Sequence, residues 1–249
     1  MDRHHDAAEL LLSARRDPTQ RLMSLPELVT PKTLEQAYLV QREIMGKLGA
    51  IGGWKVGSPN PGSDVFTCAP LPAATIKQSP AVIVGSDRGI EAEIAVRLGA
   101  DLPARETPYS AAEVRAAIAS AHPAIEVLES RFVDPEQVEK LAVLADSLAN
   151  HSLVVGAAIA GWAEIDLVAE EVVVTVGGTE VKRGRGNPGG DMMRLLVWLA
   201  NVGARWAGGL RAGQVVTTGS WTGKDVAGAG EEAMVRFARC GDVSVRFGA

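Results

Sequence analysis

Glu91 and Glu93 are separated by a single alanine in G-I-E-A-E-I-A-V-R-L, residues 89–98. Ile90, Ala92, Ile94, Val96 and Leu98 alternate with Glu91, Glu93, Ala95 and Arg97, the period of a strand. On a strand, positions i and i+2 project from one face roughly 6.6 Å apart, so both carboxylates would point the same way. On a helix they would diverge by about 200° and could share no ligand. Two carboxylates that close repel unless a proton or cation lies between them. An edge strand carrying ordinary surface glutamates would show the same pattern. A third acid, Glu126 in A-I-E-V-L-E-S-R-F (124–132), shares a strand face with Ala124, Leu128 and Ser130, an expensive place for an unpaired carboxylate. All-oxygen ligation by Glu91, Glu93 and Glu126 would suit a hard divalent cation, Mg2+ or Mn2+, rather than zinc. His4, His5, His122 and His151 show no metal-ligand spacing, and His151 reads as a turn residue that hydrogen-bonds locally.

Lys55 lies between Trp54 and Val56 in G-G-W-K-V-G-S-P-N-P-G, residues 52–62. Such a lysine either snorkels to solvent or points into a pocket, where burial depresses its pKa and suits it to proton transfer. A paired-carboxylate glycosidase is a poor fit, because its two acids flank the scissile bond from different sides. There is no G-x-S-x-G elbow, no P-loop, and no G-x-G-x-x-G between a strand and a helix.

The elements that must hold these groups follow from periodicity and punctuation. Helices are expected at 5–17, ended by Asp17-Pro18, and from Thr33, where Thr33 and Gln36 suggest a capping box, to the stop at Gly49. Residues 63–80 read as proline-rich loop and 81–84 as a buried strand, with Asp87-Arg88-Gly89 turning into the paired glutamates. A second capping box at Ser110 and Glu113 starts a helix through Ala121, which His122-Pro123 ends before a strand at 124–132. A polar turn at 146–152 precedes a strand at 153–159. A hairpin at 171–182 turns at Gly177-Gly178, with Lys182, Arg183 and Arg185 marking an edge. The most apolar helix is expected at 191–206, and strands at 214–218, 233–239 and 243–247. Helices lead and strands dominate after residue 80, the order of an α+β domain on a mixed sheet.

A chain of 249 residues with 47% hydrophobic content folds around its own core without disulfides, and Cys68 and Cys240 are too few and too distant for a disulfide scaffold or a cysteine zinc site. The net charge of −5 argues against nucleic-acid or anionic-membrane partners. The start, M-D-R-H-H-D, has no signal-like apolar region, and the run 153–162 is too short and glycine-rich for a bilayer, which needs about 20 residues. The expectation is a soluble, cytoplasmic protein.

Six segments in order, G-W-K-V-G (53–57), I-E-A-E-I-A (90–95), H-P-A-I-E-V-L-E-S-R (122–131), A-D-S-L-A-N (145–150), W-L-A-N (198–201) and L-R-A-G-Q-V-V-T-T-G-S (210–220), together resemble the 2-keto-4-pentenoate hydratase and 4-oxalocrotonate decarboxylase family of the fumarylacetoacetate hydrolase superfamily. The resemblance implies a mixed β-sheet roll of the fumarylacetoacetate hydrolase C-terminal type at 51–249, under a helical layer at 1–50. It implies that Glu91, Glu93 and Glu126 bind Mg2+ or Mn2+, that Lys55 lies near the reacting carbon, and that Thr218 and Ser220 line a 2-oxo-acid pocket, with Arg131 or Ser130 in reach. Lys55 with Glu129 would handle protons. The implied activity is that of a lyase, a hydratase of a 2-hydroxydienoic acid in aromatic catabolism, in a homo-oligomer. Decarboxylation or C–C cleavage at the same site, and a non-catalytic scaffold, are the rival readings. Hydratases of the family pair the lysine with an acid in a Pro-Asp-Phe-Gly-like segment. Here that region, 67–74, reads T-C-A-P-L-P-A-A, and Asp64 is the nearest replacement.

Overall fold

The computed structural model describes residues 2–84 and 88–248. Asp87, read as part of the turn before the paired glutamates, lies outside the described residues. Two amphipathic helices open the chain. α1 (Arg3–Arg16) begins where the Asp2 side chain accepts from the His4 and His5 N–H groups and ends before Pro18. α2 (Leu34–Leu48) is capped by the Thr33 hydroxyl, which accepts from Gln36 N–H. The Gln36 side chain bonds Lys32 N–H instead of returning to Thr33, so the expected box is shifted by one residue. Ala8, Leu11, Val40 and Ile44 of these helices pack with Phe132 and Ala142 into one apolar layer.

The strands and remaining helices follow as β1 (Ile51–Gly57), β2 (Thr67–Pro72), β3 (Ile76–Gln78), β4 (Ala81–Val84), β5 (Arg88–Leu98), β6 (Leu102–Pro103), α3 (Ala111–Ala116), β7 (Ile118–Leu128), α4 (Lys140–Ala145), β8 (Asn150–Val155), β9 (Glu171–Val176), β10 (Thr179–Arg185), α5 (Met192–Trp198), β11 (Gly209–Leu210), β12 (Val215–Thr217), β13 (Asp225–Ala227), β14 (Glu232–Phe237) and β15 (Gly241–Gly248). The larger sheet has the order β2-β1-β12-β5-β7-β8-β3, with β13 also on β5, and the smaller runs β10-β9-β14-β15-β4. β1–β12, β3–β8 and β4–β15 are parallel pairs among antiparallel ones, giving the mixed α+β architecture expected. The main core lies between the sheets, where Ile90, Ile94 and Val127 of the larger sheet share a cluster with Val174, Val235 and Phe247 of the smaller. On the other side, Leu71, Ala95, Ala124, Leu153 and Val215 form a separate small cluster. Gly53 allows β1 and β12 to approach closely, since a Cβ there would lie 2.2 Å from the Val215 carbonyl oxygen. No helix among the described residues is long and apolar enough to cross a membrane.

The structure corrects several boundaries. Residues 63–80, read as loop, contain β2 and β3; β2 is the outer strand of its sheet, where prolines are tolerated because an outward N–H has no ladder partner to lose. The capping box at Ser110 forms, but its helix stops at Ala116 and β7 begins at Ile118, running through Pro123. Pro123 fits because its carbonyl accepts from Gly156 N–H (2.8 Å), so its nitrogen faces the side where β8 has already ended and no rung to β5 is lost. β4 is half exposed, with Val82 and Val84 outward. α5 ends as an α-helix at Trp198 and continues as a π turn, Leu199–Gly203.

Candidate metal centre

Strand alternation sets the site. Glu91 and Glu93 share one face of β5, and Glu91 stands directly opposite Glu126 of β7 in the ladder. One carboxylate oxygen from each of the three lies within 4.8 Å of the others. Glu93 and Glu126 are buried and Glu91 is half-buried. From β1, Lys55 is in register with Thr217 of β12, which is in register with Ala95 of β5. Ala95 and Ala124 are small, so the lysine stem lies across this face, and its ammonium donates to Glu126 Oε1 (2.6 Å) and to the Leu148 carbonyl (3.3 Å). Asn150 Nδ2 donates to the same Glu126 oxygen (2.8 Å). The other, Glu126 Oε2, is buried with no hydrogen-bond partner among the described residues. Glu93 Oε2 accepts from the Thr217 hydroxyl and from Gly219 N–H (2.8 Å).

Electrostatics follow from this crowding. Burial, reinforced by Glu126 and Glu91, pushes the Glu93 carboxyl well above the usual glutamate range, against the pull of the Thr217 hydroxyl and Lys55. Burial also raises Glu91, with Glu126 adding to it and Lys55 and Lys224 opposing. For Lys55, burial opposes the charge, but Glu126, Glu91 and Glu93 outweigh it and hold its pKa above the ordinary lysine value. The sequence expectation of a depressed lysine pKa is therefore reversed.

Other expected site residues lie elsewhere. Glu129 is buried against Arg88 and accepts from Arg21 (3.2 Å), so its carboxylate is already committed. Arg131, expected near the substrate, is buried in an ion pair with Asp146. It also donates to the Glu129 and Asp146 carbonyls and to that of Asn150 (2.8 Å), which commits its guanidinium to the turn between α4 and β8. The Ser130 hydroxyl accepts from Phe132 N–H. Thr218 donates to the Ile94 carbonyl (3.0 Å) and lines a cleft of about 160 Å³ with Asn187, Met192 and Trp221. Ser220 donates to the Gly223 carbonyl (3.2 Å). Asp64 is exposed ahead of β2, and the residue facing Lys55 from β2 is Ala69, so the acid that meets the lysine is Glu126 itself. His151 sits 3.1 Å from the Ser152 hydroxyl; burial first, then Arg88, lowers its pKa to about 4, leaving a neutral ring.

Sequence reasoning missed Thr217, Asn150 and the Leu148 carbonyl. Thr217 and Thr218 are adjacent, and period 2 separates their faces without saying which one meets the acids. Leu148 could not be found by any pattern, because it lies in a run of three left-handed residues, Ser147 (φ 53°), Leu148 (φ 53°) and Ala149 (φ 62°), none of them glycine. Left-handed backbone costs L-residues roughly 1–2 kcal/mol each, so this turn must be held by its surroundings. Arg131 holds it, bonding Asp146 at one end and the Asn150 carbonyl at the other.

Residues 49–248 match the family model described as fumarylacetoacetate (FAA) hydrolase C-terminal. A 2-keto-4-pentenoate hydratase of Dechloromonas aromatica is 31% identical over 159 residues, 64% of this chain and 60% of the relative. A 4-oxalocrotonate decarboxylase of Pseudomonas putida is 30% identical over 159 residues, 64% of this chain and 59% of the relative. The matched stretch thus spans about 60% of the length of these curated relatives. Among solved structures, 4-oxalocrotonate decarboxylase from Pseudomonas putida G7, complexed with magnesium and adipate, superimposes with a TM-score of 0.82 at 26% identity, covering 98% of this chain and 97% of that one.

Proposed function

The chain belongs to the fumarylacetoacetate hydrolase family, and on that footing we propose that it is a Mg2+- or Mn2+-dependent lyase, a hydratase, acting on a small 2-hydroxydienoic or 2-oxo acid. The observation that carries this reading is the carboxylate triad of Glu91, Glu93 and Glu126, with Glu126 Oε2 buried and without a hydrogen-bond partner among the described residues. Three crowded carboxylates, of which Glu91 and Glu93 are held above the usual glutamate range by burial and by their acidic neighbours, are a donor set that a hard divalent cation would relieve. Glu91, Glu93 and Glu126 would hold the cation, which supplies the positive charge that polarises the substrate's 2-oxo group.

The rest falls to side chains. The Thr217 hydroxyl and Gly219 N–H orient Glu93, and Lys55 lies across the same face with its proton in place at neutral pH. Lys55 is therefore the acid of the site, giving a proton to the substrate and recovering it as the added water loses one. Glu129 takes no part in this transfer, being held by Arg88 and Arg21. Lys224 is an exposed cation near enough to Glu91 to favour its ionised form, and it offers a charge for a substrate carboxylate entering from the open side. We further propose that it acts in aromatic catabolism as a homo-oligomer, for which exposed Val82 and Val84 on the outer strand β4 offer an apolar strip to a second copy.

Decarboxylation is the second reading. It is favoured by Lys55 having Glu126 as its acid partner and Ala69 opposite it, without the separate acid that hydratases use, and by the decarboxylase fold match with a bound six-carbon diacid. A substrate screen separates the two. With Mg2+, loss of diene absorbance from 2-hydroxypenta-2,4-dienoate is the expected result for the hydratase, and carbon dioxide release from 4-oxalocrotonate for the decarboxylase. Turnover of neither, at any divalent metal, would leave the lyase reading without support.

A further inference from the structure

Glu126 is treated unequally at its two oxygens. Oε1 accepts from the Lys55 ammonium (2.6 Å) and from the Asn150 amide (2.8 Å), while Oε2, also buried, has no donor among the described residues. The asymmetry has a visible cause. Ser147, Leu148 and Ala149 are all left-handed, and this turn delivers two groups to the site: the Leu148 carbonyl, which holds the Lys55 ammonium, and the Asn150 side chain at the start of β8. The Asn150 backbone is fixed in turn, because its carbonyl accepts from Arg131 (2.8 Å) and from Arg15 (3.0 Å), while Ala149 accepts from Glu129 N–H (2.8 Å). Asn150 is 1% exposed, so its amide cannot turn to solvent for other partners. Backbone strain of this kind persists where surrounding contacts over-determine it, and here those contacts converge on one carboxylate oxygen.

We infer that Asn150, set by the left-handed turn, is a positioning residue that occupies Glu126 Oε1 together with Lys55, leaving Oε2 as the single oxygen Glu126 presents to a divalent cation. This rests on the metal-centre reading above and adds to it a residue that never touches the cation. An amide donor to a ligating carboxylate fixes its orientation, and losing such a partner typically costs 10–100-fold in metal affinity. Without the Asn150 amide, Oε1 regains a free lone pair and the carboxylate can rotate toward two-oxygen ligation.

The test is Mn2+ titration calorimetry on the chelator-stripped full chain, comparing wild type, Asn150→Leu, the smaller Asn150→Ala, and Glu126→Gln. Both Asn150 variants should weaken Mn2+ binding about 10–100-fold while the metal-free melting temperature stays close to wild type. The loaded-minus-stripped infrared difference spectrum should also change. In wild type the antisymmetric and symmetric carboxylate stretches should be widely separated, as for one-oxygen ligation, and in the variants that separation should narrow. A packing role alone would leave this spectrum unmoved. If either folded Asn150 variant binds Mn2+ within about twofold of wild type with an unchanged spectrum, Asn150 has no such role although the metal centre stands. Should Asn150→Leu not fold, Asn150→Ala decides by the same criteria, and failure of both to fold makes Asn150 a folding residue and overturns the inference. If wild type binds no Mn2+, or Glu126→Gln binds as well as wild type, the metal-centre reading fails and the inference with it.

Discussion

A buried carboxylate with a raised pKa makes a signed statement about stability. Glu93 is held above the glutamate range, so its contribution is fully present below the ordinary value of about 4.5 and is lost as pH rises through its folded pKa. In metal-free protein, Glu93→Gln should therefore melt higher than wild type at pH 8, with the advantage shrinking toward pH 4.5. With saturating Mg2+ the order should reverse, because the wild-type charge then has a partner; paired melting curves at the two pH values check both signs. At this scale the acids were legible in the sequence. A strand period puts Glu91 and Glu93 on one face, and an apolar face makes Glu126 conspicuous. The donors that orient them were not, because Thr217, Asn150 and the Leu148 carbonyl owe their places to register and to a left-handed turn. Glu129 and Arg131 misled for a related reason: both sit beside an informative strand, and only the fold shows Arg88, Arg21 and Asp146 closing around them.

Among the elements, the segment between α4 and β8 carries the most strain and the most consequence. Arg131 pairs with buried Asp146 and spans the turn from Asp146 to Asn150. Arg131→Met should leave the Asp146 carboxylate buried and unpaired, at a cost on the order of 3–5 kcal/mol in denaturant unfolding, and should weaken divalent-metal binding as the turn relaxes. A variant that loses stability but binds metal like wild type would uncouple the turn from the site. Strands with clean alternation, such as β5, β9 and β14, could be read from the chain. β2, the start of β7 and the true start of β8 could not. Prolines obscure the first, a helix cap that propagates only to Ala116 obscures the second, and a polar turn that ends in a strand obscures the third.

At the level of the molecule, the larger sheet separates two jobs. One face joins the smaller sheet in the main core, and the other bears the carboxylates above a small aliphatic cluster, with the lysine laid across it. The sequence conveyed this α+β plan through its order of helices and strands, and five of the six family-like segments fall on or beside the strands that build the site, the sixth, 198–201, lying at the end of α5 and in the π turn after it. The central claim is that Glu91, Glu93 and Glu126 hold a divalent cation to which a 2-oxo acid can bind. It is tested most directly by thermal melts of chelator-stripped protein with Mg2+ and oxalate, an unreactive 2-oxo-acid mimic, run beside Glu126→Gln. At about 100 times the dissociation constant, binding to the folded form contributes about 2.7 kcal/mol, or roughly 5–10 °C in midpoint for a chain of this size. The account predicts that rise in wild type and its loss in Glu126→Gln. Equal midpoints with and without Mg2+ and oxalate in wild type, or an undiminished rise in Glu126→Gln, would contradict it.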